Sequence, residues 1–346
     1  MSSVDVVIPC YNYARYLSSC VDSVLCQQDV EVRVLVIDDA SSDDTPRVGR
    51  ALAAADPRVE FRRHEVNAGH LATYNEGLIG WSTADYVVLL SADDLLVPGS
   101  LGRAVRIMET DPAIGMVYGR SLYFETTPRT PRIPAGQPPH TRWSGVEWLE
   151  GRCRSGINVI SSPEVVVRGS VQRAVGGYRP ELPHAGDLEM WLRIAAVSDV
   201  AYVRRIPQAC YRKHAASMLR TNYRSRLADL LQRKGAFDCF FEHHEHLADA
   251  GRLRDLANRA LAREALWAAA RAYDRNRLEE AAAAELETFA LETYAQAYSL
   301  PEYAALLRRR YFGPVVCSRT QMFAASALVR RLQSWLWWQR WKRRGT

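Results

Sequence analysis

YVVLLSADDLLVP, residues 86–98, is the stretch that decides the fold of this chain. Its apolar run, Tyr86 to Leu90, predicts a strand buried on both faces of a parallel sheet. Two adjacent carboxylates, Asp93 and Asp94, follow the run, and open α/β sheets bind ligands at the carboxyl ends of strands. A divalent cation that carries a phosphate would offset the cost of placing two acids there. The alternative is a strand end that leads into the acid-favouring start of a helix, and this stretch alone does not decide between them.

The composition predicts an ordinary globular chain. Its 346 residues are 48% hydrophobic and 24% charged, which allows one large domain or two smaller ones. No apolar run reaches the roughly 18 residues that a transmembrane helix requires. The first residues, MSSVDVVIPCYN, lack a basic region and predict no signal peptide. Seven scattered cysteines without CxxC spacing indicate reduced thiols and a cytoplasmic location.

The net charge of +6 is concentrated at the end of the chain. From Arg330 onward there are six Lys or Arg and no Asp or Glu, whereas residues 1–329 carry 39 charges of each sign. Because the body of the chain is balanced, a distributed basic face is not expected, and nucleic acid is not predicted as a partner.

Strand and helix patterns alternate around the opening stretch. Further β-branched runs lie at Val4–Ile8, Val32–Ile37 and Val59–Phe61. The alternation predicts βαβ units and a parallel sheet. A second acidic pair, Asp38 and Asp39, follows the second run, so that both pairs are expected at one sheet edge, as in a site for a nucleotide and a metal. GxGxxG after a strand and GxxxxGK[ST] are both absent, which argues against a dinucleotide fingerprint and a Walker A loop.

Five motifs in order and register resemble the family-two glycosyltransferases of GT-A fold. They are VVIPCYNYARYLSSCVDSVLCQQ, VLVIDDASSDDT, NAGHLATYNEGL, LLSADDLLVPGSL and GGYRPELPHAGDLEMWLR. The resemblance covers about Ser3 to Ser217. It implies an α/β fold with a Rossmann-like, mixed but mostly parallel sheet flanked by helices. It also implies an inverting transferase that uses a nucleotide-diphosphate sugar, usually a UDP-sugar, and a divalent metal, Mn²⁺ or Mg²⁺.

The resemblance assigns the nucleotide-sugar site by position. Tyr11 would stack on the base, and Asp39 would accept hydrogen bonds from the base and ribose. The residues implied at this site are Pro9, Tyr11, Asn12, Asp38, Asp39, Asn67, Gly69, Asn75, Ser91, Ala92, Asp93 and Arg212. Ser91 departs from the pattern because the family usually has an acid there, and a serine brings no charge. A loop or helix-cap role is the alternative for each of these residues.

The metal and the general base are also implied by the resemblance. Asp93 matches the acid that contacts the metal. Asp94 is either a second ligand or the cap of the following segment, and His214 is a further candidate. Arg212 or His214 would reach the diphosphate, unless their segment is only an exposed basic loop. Asp187, at a predicted helix start, would remove the acceptor proton. The alternatives are an N-cap role for Asp187 and Glu189 as the base, and Gly186 departs from the usual acid before the base.

The remaining chain predicts three further features. A proline-rich loop over residues 126–139 is a candidate lid. The domains are expected at 1–220 for catalysis, 221–323 for an extension of about three helices, and 324–346 for a basic, Trp-rich amphipathic tail. The EHHEH cluster at 242–246 is predicted to be a solvated helix face. Aromatic and basic residues without acids in the tail indicate peripheral contact with an anionic membrane surface, with a partner-binding helix or a frayed end as alternatives.

These patterns predict an enzyme that transfers a sugar to a hydroxyl of a glycan, glycolipid or other acceptor. Synthesis of cell-surface polysaccharide or glycoconjugate, on the inner face of the cell membrane, is the expected setting. Two other functions stay open. A non-catalytic nucleotide-sugar-binding protein would explain the departures at Ser91 and Gly186, and a nucleotidyltransferase would also use paired acids and a metal.

Overall fold

The computed structural model describes residues 1–128, 131, 133, 136–214, 225–279 and 281–345. They form two compact units. The first consists of Met1–Trp148, Val159–His214 and Lys342–Gly345, and the second consists of Leu149–Asn158 and Ala215–Trp341. Parts of the predicted lid loop (129, 130, 132, 134 and 135) and of the basic loop (215–217) lie outside the described residues.

The first unit contains eleven described strands in two sheets. The larger sheet has the order β3-β2-β1-β4-β9-β6-β10-β8, and the smaller has the order β5-β11-β7. The strands are β1 (Ser3–Cys10), β2 (Glu31–Asp38), β3 (Val59–Arg63), β4 (Tyr86–Leu89), β5 (Leu95–Leu96), β6 (Ile114–Tyr118), β7 (Ser121–Phe124), β8 (His140–Trp143), β9 (Val166–Arg168), β10 (Asp199–Val203) and β11 (Ala209–Arg212).

Helices connect these strands and cover the larger sheet. They are α1 (Ala14–Leu25), α2 (Thr45–Ala55), α3 (His70–Asn75), α4 (Ser100–Thr110), α5 (Gly145–Ser155), α6 (Gly169–Val175) and α7 (Gly186–Val197). A π-helical turn, Glu76–Trp81, continues α3, and a 3₁₀ turn spans Ser162–Glu164. The apolar residues of α1 recur at helical spacing, and Leu17, Cys20, Val21 and Val24 are buried.

The pairing confirms a mixed, mostly parallel sheet. Strand β1 pairs in parallel with β2 and β4, β2 with β3, and β6 with β10. Strand β9 is antiparallel to both β4 and β6, and β8 is antiparallel to β10. The run Tyr86–Leu90 is buried throughout, as its apolar sequence predicts for a central strand. The prediction of a Rossmann-like α/β fold is therefore confirmed.

The second unit contains the end of α5 and the helices that follow residue 225. These are α8 (Arg226–His243), α9 (Ala250–Arg275), α10 (Ala283–Thr293), α11 (Pro301–Thr320) and α12 (Ala324–Arg344), of which the last three residues belong to the first unit. The expectation of three helices between 221 and 323 was wrong for the described residues, which hold four. Pro301 starts the fourth, because proline has no N–H to donate and suits the first turn of a helix.

The EHHEH segment closes α8. The Nδ1 atoms of His243 and His244 lie 2.8 Å from the carbonyl oxygens of Cys239 and Phe240, four residues earlier. These contacts satisfy carbonyl groups that the last helical turn leaves unpaired. Four of the five residues at 242–246 are exposed, as predicted.

All seven cysteines are free thiols, and Cys26 alone among them is exposed. Burial raises the pKa of the Cys10 and Cys153 thiols to about 12 and that of Cys210 to about 11. These three thiols therefore stay protonated at neutral pH.

Within the described residues, no helix has both the length and the apolar character that crossing a bilayer requires.

Candidate functional site

Two acidic pairs lie on either side of β1, because β1 pairs with both β2 and β4. Asp38 is the last residue of β2, and the Asp39 N–H donates to the Cys10 carbonyl at the end of β1. Asp93 and Asp94 follow β4, where a turn is closed by the Asp94 N–H donating to the Ser91 carbonyl. The structure thus places both pairs at the carboxyl ends of β2 and β4, the two parallel strands that flank β1, as the sequence predicts.

Asp39 organises the loop that follows β3. Its carboxylate accepts hydrogen bonds from the Ala68 and Gly69 N–H groups at 2.7 and 3.0 Å. The Asn67 amide donates to the Asp39 carbonyl at 3.0 Å. Gly69 has φ +85°, a conformation that side chains with a Cβ rarely adopt. The predicted residues Asp39, Asn67 and Gly69 are therefore brought together in one loop.

His64 bridges two carboxylates beside this loop. Its Nδ1 lies 2.8 Å from Asp39 Oδ1, and its Nε2 lies 2.7 Å from Glu76 Oε2. Burial opposes protonation, but the two carboxylate contacts outweigh it and raise the pKa of His64. A protonated His64 would therefore hold the β3 end, the π-helical turn and Asp39 together.

The loop after β1 is fixed to the loop after β2. Asn12 has φ +59°, and its side-chain oxygen accepts from the Ser42 N–H at 2.9 Å. Asp38 is fully buried, and its carboxylate accepts from the Ser41 N–H at 2.9 Å. Pro9 lies within β1, whereas the Tyr11 side chain is half exposed above this loop pair. Tyr11 is therefore the member of this group that is free to stack on a base.

Asp93 contacts His214 across the smaller sheet. The His214 Nε2 lies 2.9 Å from Asp93 Oδ2, and the imidazole packs against the rings of Tyr13 and Tyr16, with centroids 5.5 and 6.0 Å away. This sheet creates the contact, because β5 follows the acidic pair and β11 ends two residues before His214.

Asp94 is more deeply buried than Asp93. Its carboxylate accepts from the Arg212 N–H at 2.8 Å. Burial first, and the charge of Asp93 second, raise the pKa of Asp94 well above its usual value. The two neighbouring acids therefore have different environments.

The Arg212 guanidinium contacts backbone carbonyls and aromatic rings of the protein itself. It donates to the carbonyls of Asp93 and Thr126 at 2.9 and 3.1 Å, and it lies over the rings of Tyr16 and Phe124 at 4.2 and 4.3 Å. These contacts connect the acidic turn to the loop after β7. Arg212, for which the sequence predicts a diphosphate contact, thus lies beside the acidic pair and orders the turn that carries it.

The donors near Asp93 fit a divalent cation in part. Two ligands at right angles around a cation, with bonds of about 2.1 Å, lie roughly 3 Å apart, which matches the separation of 2.9 Å between Asp93 Oδ2 and His214 Nε2. The His214 Nδ1 atom is buried without a hydrogen-bond partner. No group of three His, Cys, Asp or Glu side chains suited to a metal occurs in the described part of the chain. Mg²⁺ is commonly held by one or two carboxylates, with water and phosphate oxygens as its other ligands.

Asp187 lies in the first turn of α7 and accepts two hydroxyl hydrogen bonds. Ser162 Oγ donates to Oδ2 at 2.6 Å, and the Tyr178 hydroxyl donates to Oδ1 at 2.8 Å. Two donors in fixed positions, one on each oxygen, define the plane of the carboxylate. The side chain is therefore held in one orientation, as a general base requires.

Asn75 connects α3 to the segment that carries Tyr178. Its amide nitrogen donates to the Tyr178 carbonyl at 2.8 Å, and its oxygen accepts from the Tyr178 N–H at 2.6 Å. A Cβ on Gly177 would lie 2.3 Å from the Asn75 oxygen, so this approach requires glycine. Asn75 thus contacts the Asp187 side of the site.

Tyr74 is close enough to both Asp93 and Asp187 for their charges to affect its pKa. Its ring packs edge-on against Tyr178 with centroids 5.4 Å apart. Burial raises the pKa of the Tyr74 hydroxyl, and the charges of Asp187 and then Asp93 raise it further. The charges of Asp93 and Asp187 therefore act on the same phenol.

Glu189, the alternative base, is engaged in ion pairs. It is fully buried, and its carboxylate accepts from Arg193 at 2.8 Å and from Arg179 at 2.9 Å. Removing a proton from a substrate would require this carboxylate to leave two arginines, so the contacts favour Asp187 as the base.

Sequence reasoning missed Ser162, Tyr178 and His64. Ser161-Ser162-Pro-Glu164 carries a visible capping-box signal, and both of its hydrogen bonds form in the 3₁₀ turn. That signal predicts the turn and not the contact with Asp187, because the partner lies 25 residues later. His64 has no sequence signal of its own.

Glu164, at the end of this turn, is buried and accepts from the Ser121 hydroxyl at 2.7 Å. Burial raises its pKa to about 8.

Part of the sequence matches a known protein family. Residues 5–161 match the sequence family described as Glycosyl transferase family 2. This segment is a family-two glycosyltransferase domain. The predicted resemblance is therefore confirmed.

Several known proteins are similar in sequence to parts of this chain. An uncharacterized glycosyltransferase, alr2836, from Nostoc sp. is 32% identical over 115 residues, which are 33% of this chain and 35% of that protein. Uncharacterized protein MT1568 from Mycobacterium tuberculosis is 26% identical over 67% of this chain and 73% of its own length. A chondroitin synthase from Pasteurella multocida is 25% identical over 61% of this chain. The match spans about a third of the first relative and a fifth of the synthase.

Solved structures show the same fold at low sequence identity. S. aureus TarS 1–349 in complex with UDP-GlcNAc has a TM-score of 0.63 at 14% identity, over 94% of this chain and 92% of that one. Mannosyltransferase PcManGT from Pyrobaculum calidifontis, in complex with GDP-Man and Mn²⁺, has a TM-score of 0.50 at 18% identity, over 95% of this chain and 86% of that one. These similarities support the fold assignment.

Proposed function

We propose that this protein is an inverting glycosyltransferase that moves a sugar from a nucleotide-diphosphate sugar to an acceptor hydroxyl. The observation that carries the proposal is the Asp187 carboxylate, which Ser162 and Tyr178 orient in the same unit as the acidic edge of the sheet. A family-two domain over residues 5–161 supports the transferase class.

The donor is a nucleotide sugar, and a UDP-sugar is the first candidate. TarS was solved with UDP-GlcNAc and PcManGT with GDP-Man, so both kinds of donor occur among structural neighbours. Here the exposed Tyr11 ring would stack on the base. Asp39 and the loop it orders, with Asn67 and Gly69, would line the base and ribose.

A divalent cation is part of the proposal, with Asp93 and His214 as its ligands and Ser91 and Ala92 in the same turn. When bound, Mn²⁺ or Mg²⁺ would supply positive charge that stabilises the leaving diphosphate. Asp94 keeps a separate role, because its carboxylate holds the Arg212 N–H. Arg212 orders the turn and adds a positive charge beside it.

In the proposed reaction, Asp187 accepts the proton of the acceptor hydroxyl while that oxygen forms a bond to the anomeric carbon. The bond between the anomeric carbon and the diphosphate oxygen breaks, and its electron pair leaves with the nucleoside diphosphate. Attack from the face opposite the leaving group inverts the anomeric configuration. Ser162 and Tyr178 keep the carboxylate in one orientation throughout.

The acceptor is proposed to be a hydroxyl of a glycan, glycolipid or similar molecule in the synthesis of cell-surface polysaccharide or glycoconjugate. The chondroitin synthase from Pasteurella multocida among the relatives supports this class. Six buried free thiols favour the cytoplasm, where thiols stay reduced.

A panel of nucleotide sugars with Mn²⁺ or Mg²⁺ tests the proposal. One donor should raise the melting temperature and, with an acceptor, release a nucleoside diphosphate. Release of pyrophosphate would instead identify a nucleotidyltransferase. Donor binding without release of any sugar, across hydrolysis and transfer assays, would identify a non-catalytic binding protein.

A further inference from the structure

The last two helices carry their apolar side chains on the outside. In α12, an exposed stripe recurs at helical spacing: Leu328, Leu332, Trp335 and Leu336. Trp335 is 56% exposed and Leu328 67% exposed. Four more apolar side chains are exposed among residues 311–316 of α11, including Tyr311 at 85%. We call these residues of α11 and α12 the apolar face.

The other side of α12 explains why this face turns outward. Arg330 donates to Glu302 at 2.8 Å and lies 4.0 Å from the centre of the Trp267 ring. Trp341, eleven residues along and on the same side, is buried. The helix is therefore fixed by a charged and aromatic inner side, and this leaves its apolar stripe in solvent. Exposed apolar side chains that recur on one side of a helix mark a site of interaction.

The turn between α11 and α12 is held in place by similar contacts. Arg309 pairs with Asp274 at 2.8 Å, donates to Ser326 at 3.1 Å and lies 4.1 Å from the Phe323 ring centre. Gly313, with φ +76°, and Pro314 bend α11 within the apolar face. These contacts fix the connection between the two helices that carry the apolar face.

Charge decides which partner fits. Residues 303–341 contain seven arginines and no Asp or Glu. Arg331 and Arg340 are exposed, and their helical positions flank the stripe on either side. A second copy of the same face would bring arginine against arginine without acids to pair them. An anionic lipid surface instead matches an apolar, tryptophan-bearing stripe bordered by cations.

We propose that the apolar face docks on an anionic lipid bilayer, with Trp335 and Leu336 inserted at the level of the headgroups and Arg331 and Arg340 on lipid phosphates. The inference does not rest on the proposed transferase activity.

Co-sedimentation of the full chain with vesicles tests the docking, without donor or acceptor. The protein should pellet with mixed phosphatidylcholine and phosphatidylglycerol vesicles, and less with phosphatidylcholine alone or at high salt. Trp335→Ser with Leu336→Ser should weaken binding roughly tenfold or more, from the apolar area lost. The matched control, Leu231→Ser with Tyr298→Ser, removes two similarly exposed side chains of the helical unit and should bind like the wild type.

A charge pair of variants completes the test. Arg331→Gln with Arg340→Gln should weaken binding to the vesicles and make it depend less on salt. The control, Arg50→Gln with Arg259→Gln, changes the net charge by the same amount and should bind like the wild type. Wild-type protein that stays in the supernatant with anionic vesicles would overturn the proposal. So would self-association in the absence of lipid that is lost in the Trp335 and Leu336 double variant, because a second copy would then cover the face.

Discussion

The side-chain amide of Asn75 forms both a donated and an accepted hydrogen bond with the backbone of Tyr178, 103 residues later in the chain. Tyr178 then donates its hydroxyl to Asp187. Asn75 is predicted from the sequence as a nucleotide contact, and its observed bonds make it a positioning residue for the proposed base.

Asn75→Ala should lower both stability and turnover. The change leaves the N–H and carbonyl of Tyr178 without their partners, at a cost of about 2 kcal/mol in the free energy of unfolding. Because Tyr178 then loses its fixed position, kcat should fall while the KM for the donor changes little. Urea unfolding and steady-state kinetics measure the two effects.

Asn67→Ala is the matched comparison on the Asp39 side and should mainly raise the donor KM. An unchanged kcat in Asn75→Ala would contradict the positioning role.

Asp187→Asn should abolish transfer and leave donor binding intact, because an amide keeps the shape but accepts no proton. Glu189→Gln, two residues away, should instead destabilise the fold by about 3 kcal/mol, since Arg179 and Arg193 lose a buried partner. Product formation and thermal unfolding, measured on both variants, separate the roles. Substantial activity in Asp187→Asn would remove this residue as the base.

Ser162→Ala and Tyr178→Phe each remove one hydroxyl donor from the Asp187 carboxylate. Each should reduce kcat about tenfold, as expected for a hydrogen bond to a charged group, and should hardly affect donor affinity. Transfer rates at saturating donor measure the effect. Ser198→Ala, whose hydroxyl donates to the Ile194 carbonyl at 2.8 Å in the same helix, is the control and should retain full activity.

Asp93→Asn and Asp94→Asn should behave differently although the residues are adjacent. Asp93 is the proposed metal ligand, so its amide variant should lose the increase in melting temperature that Mn²⁺ gives with a nucleoside diphosphate. The pKa of Asp94 is raised, and the side-chain oxygen that remains in Asp94→Asn can still accept from the Arg212 N–H, so this variant should keep metal binding. Equal loss in both variants would show that the pair acts together.

Glu164→Gln should flatten the dependence of stability on pH. The folded-state pKa of about 8 lies above the usual 4.5, so the folded protein holds this proton more tightly than the unfolded chain does. The stability that this group contributes is therefore complete below about pH 4.5 and is lost as the pH rises through about 8. Melting temperatures of wild type and variant, compared from about pH 5 to about pH 8.5, test this; parallel curves would show that Glu164 is not the group that titrates.

The strands and the acidic edge were predictable because they depend on local pattern. Apolar runs fix β1, β2 and β4, and parallel order then places Asp39 and Asp93 at one edge. The hydrogen bonds at this edge were not predictable. The Asp39 carboxylate binds the N–H groups of residues 68 and 69 in a loop, and the sequence has no periodic pattern that specifies the path of a loop.

The base was predictable only by family resemblance, and its partners were not. Ser162 and Tyr178 reach Asp187 from two separate segments, and short hydroxyl side chains carry no pattern that identifies a distant partner. The helical unit was underestimated for a different reason. Its Ala-rich segments have helical propensity throughout, so that the breaks between helices leave a weak signal.

The reactivity of the buried cysteine thiols can report on the opening of each of the two units. Cys10, Cys20 and Cys210 lie in the first unit, and Cys153, Cys239 and Cys317 in the second, all buried. An alkylating reagent reaches a buried thiol only when its surroundings open, whereas the exposed Cys26 reacts at once. If mass spectrometry identifies which cysteines are alkylated over time in mild denaturant, the rates would therefore report the opening of each unit separately in the wild-type protein.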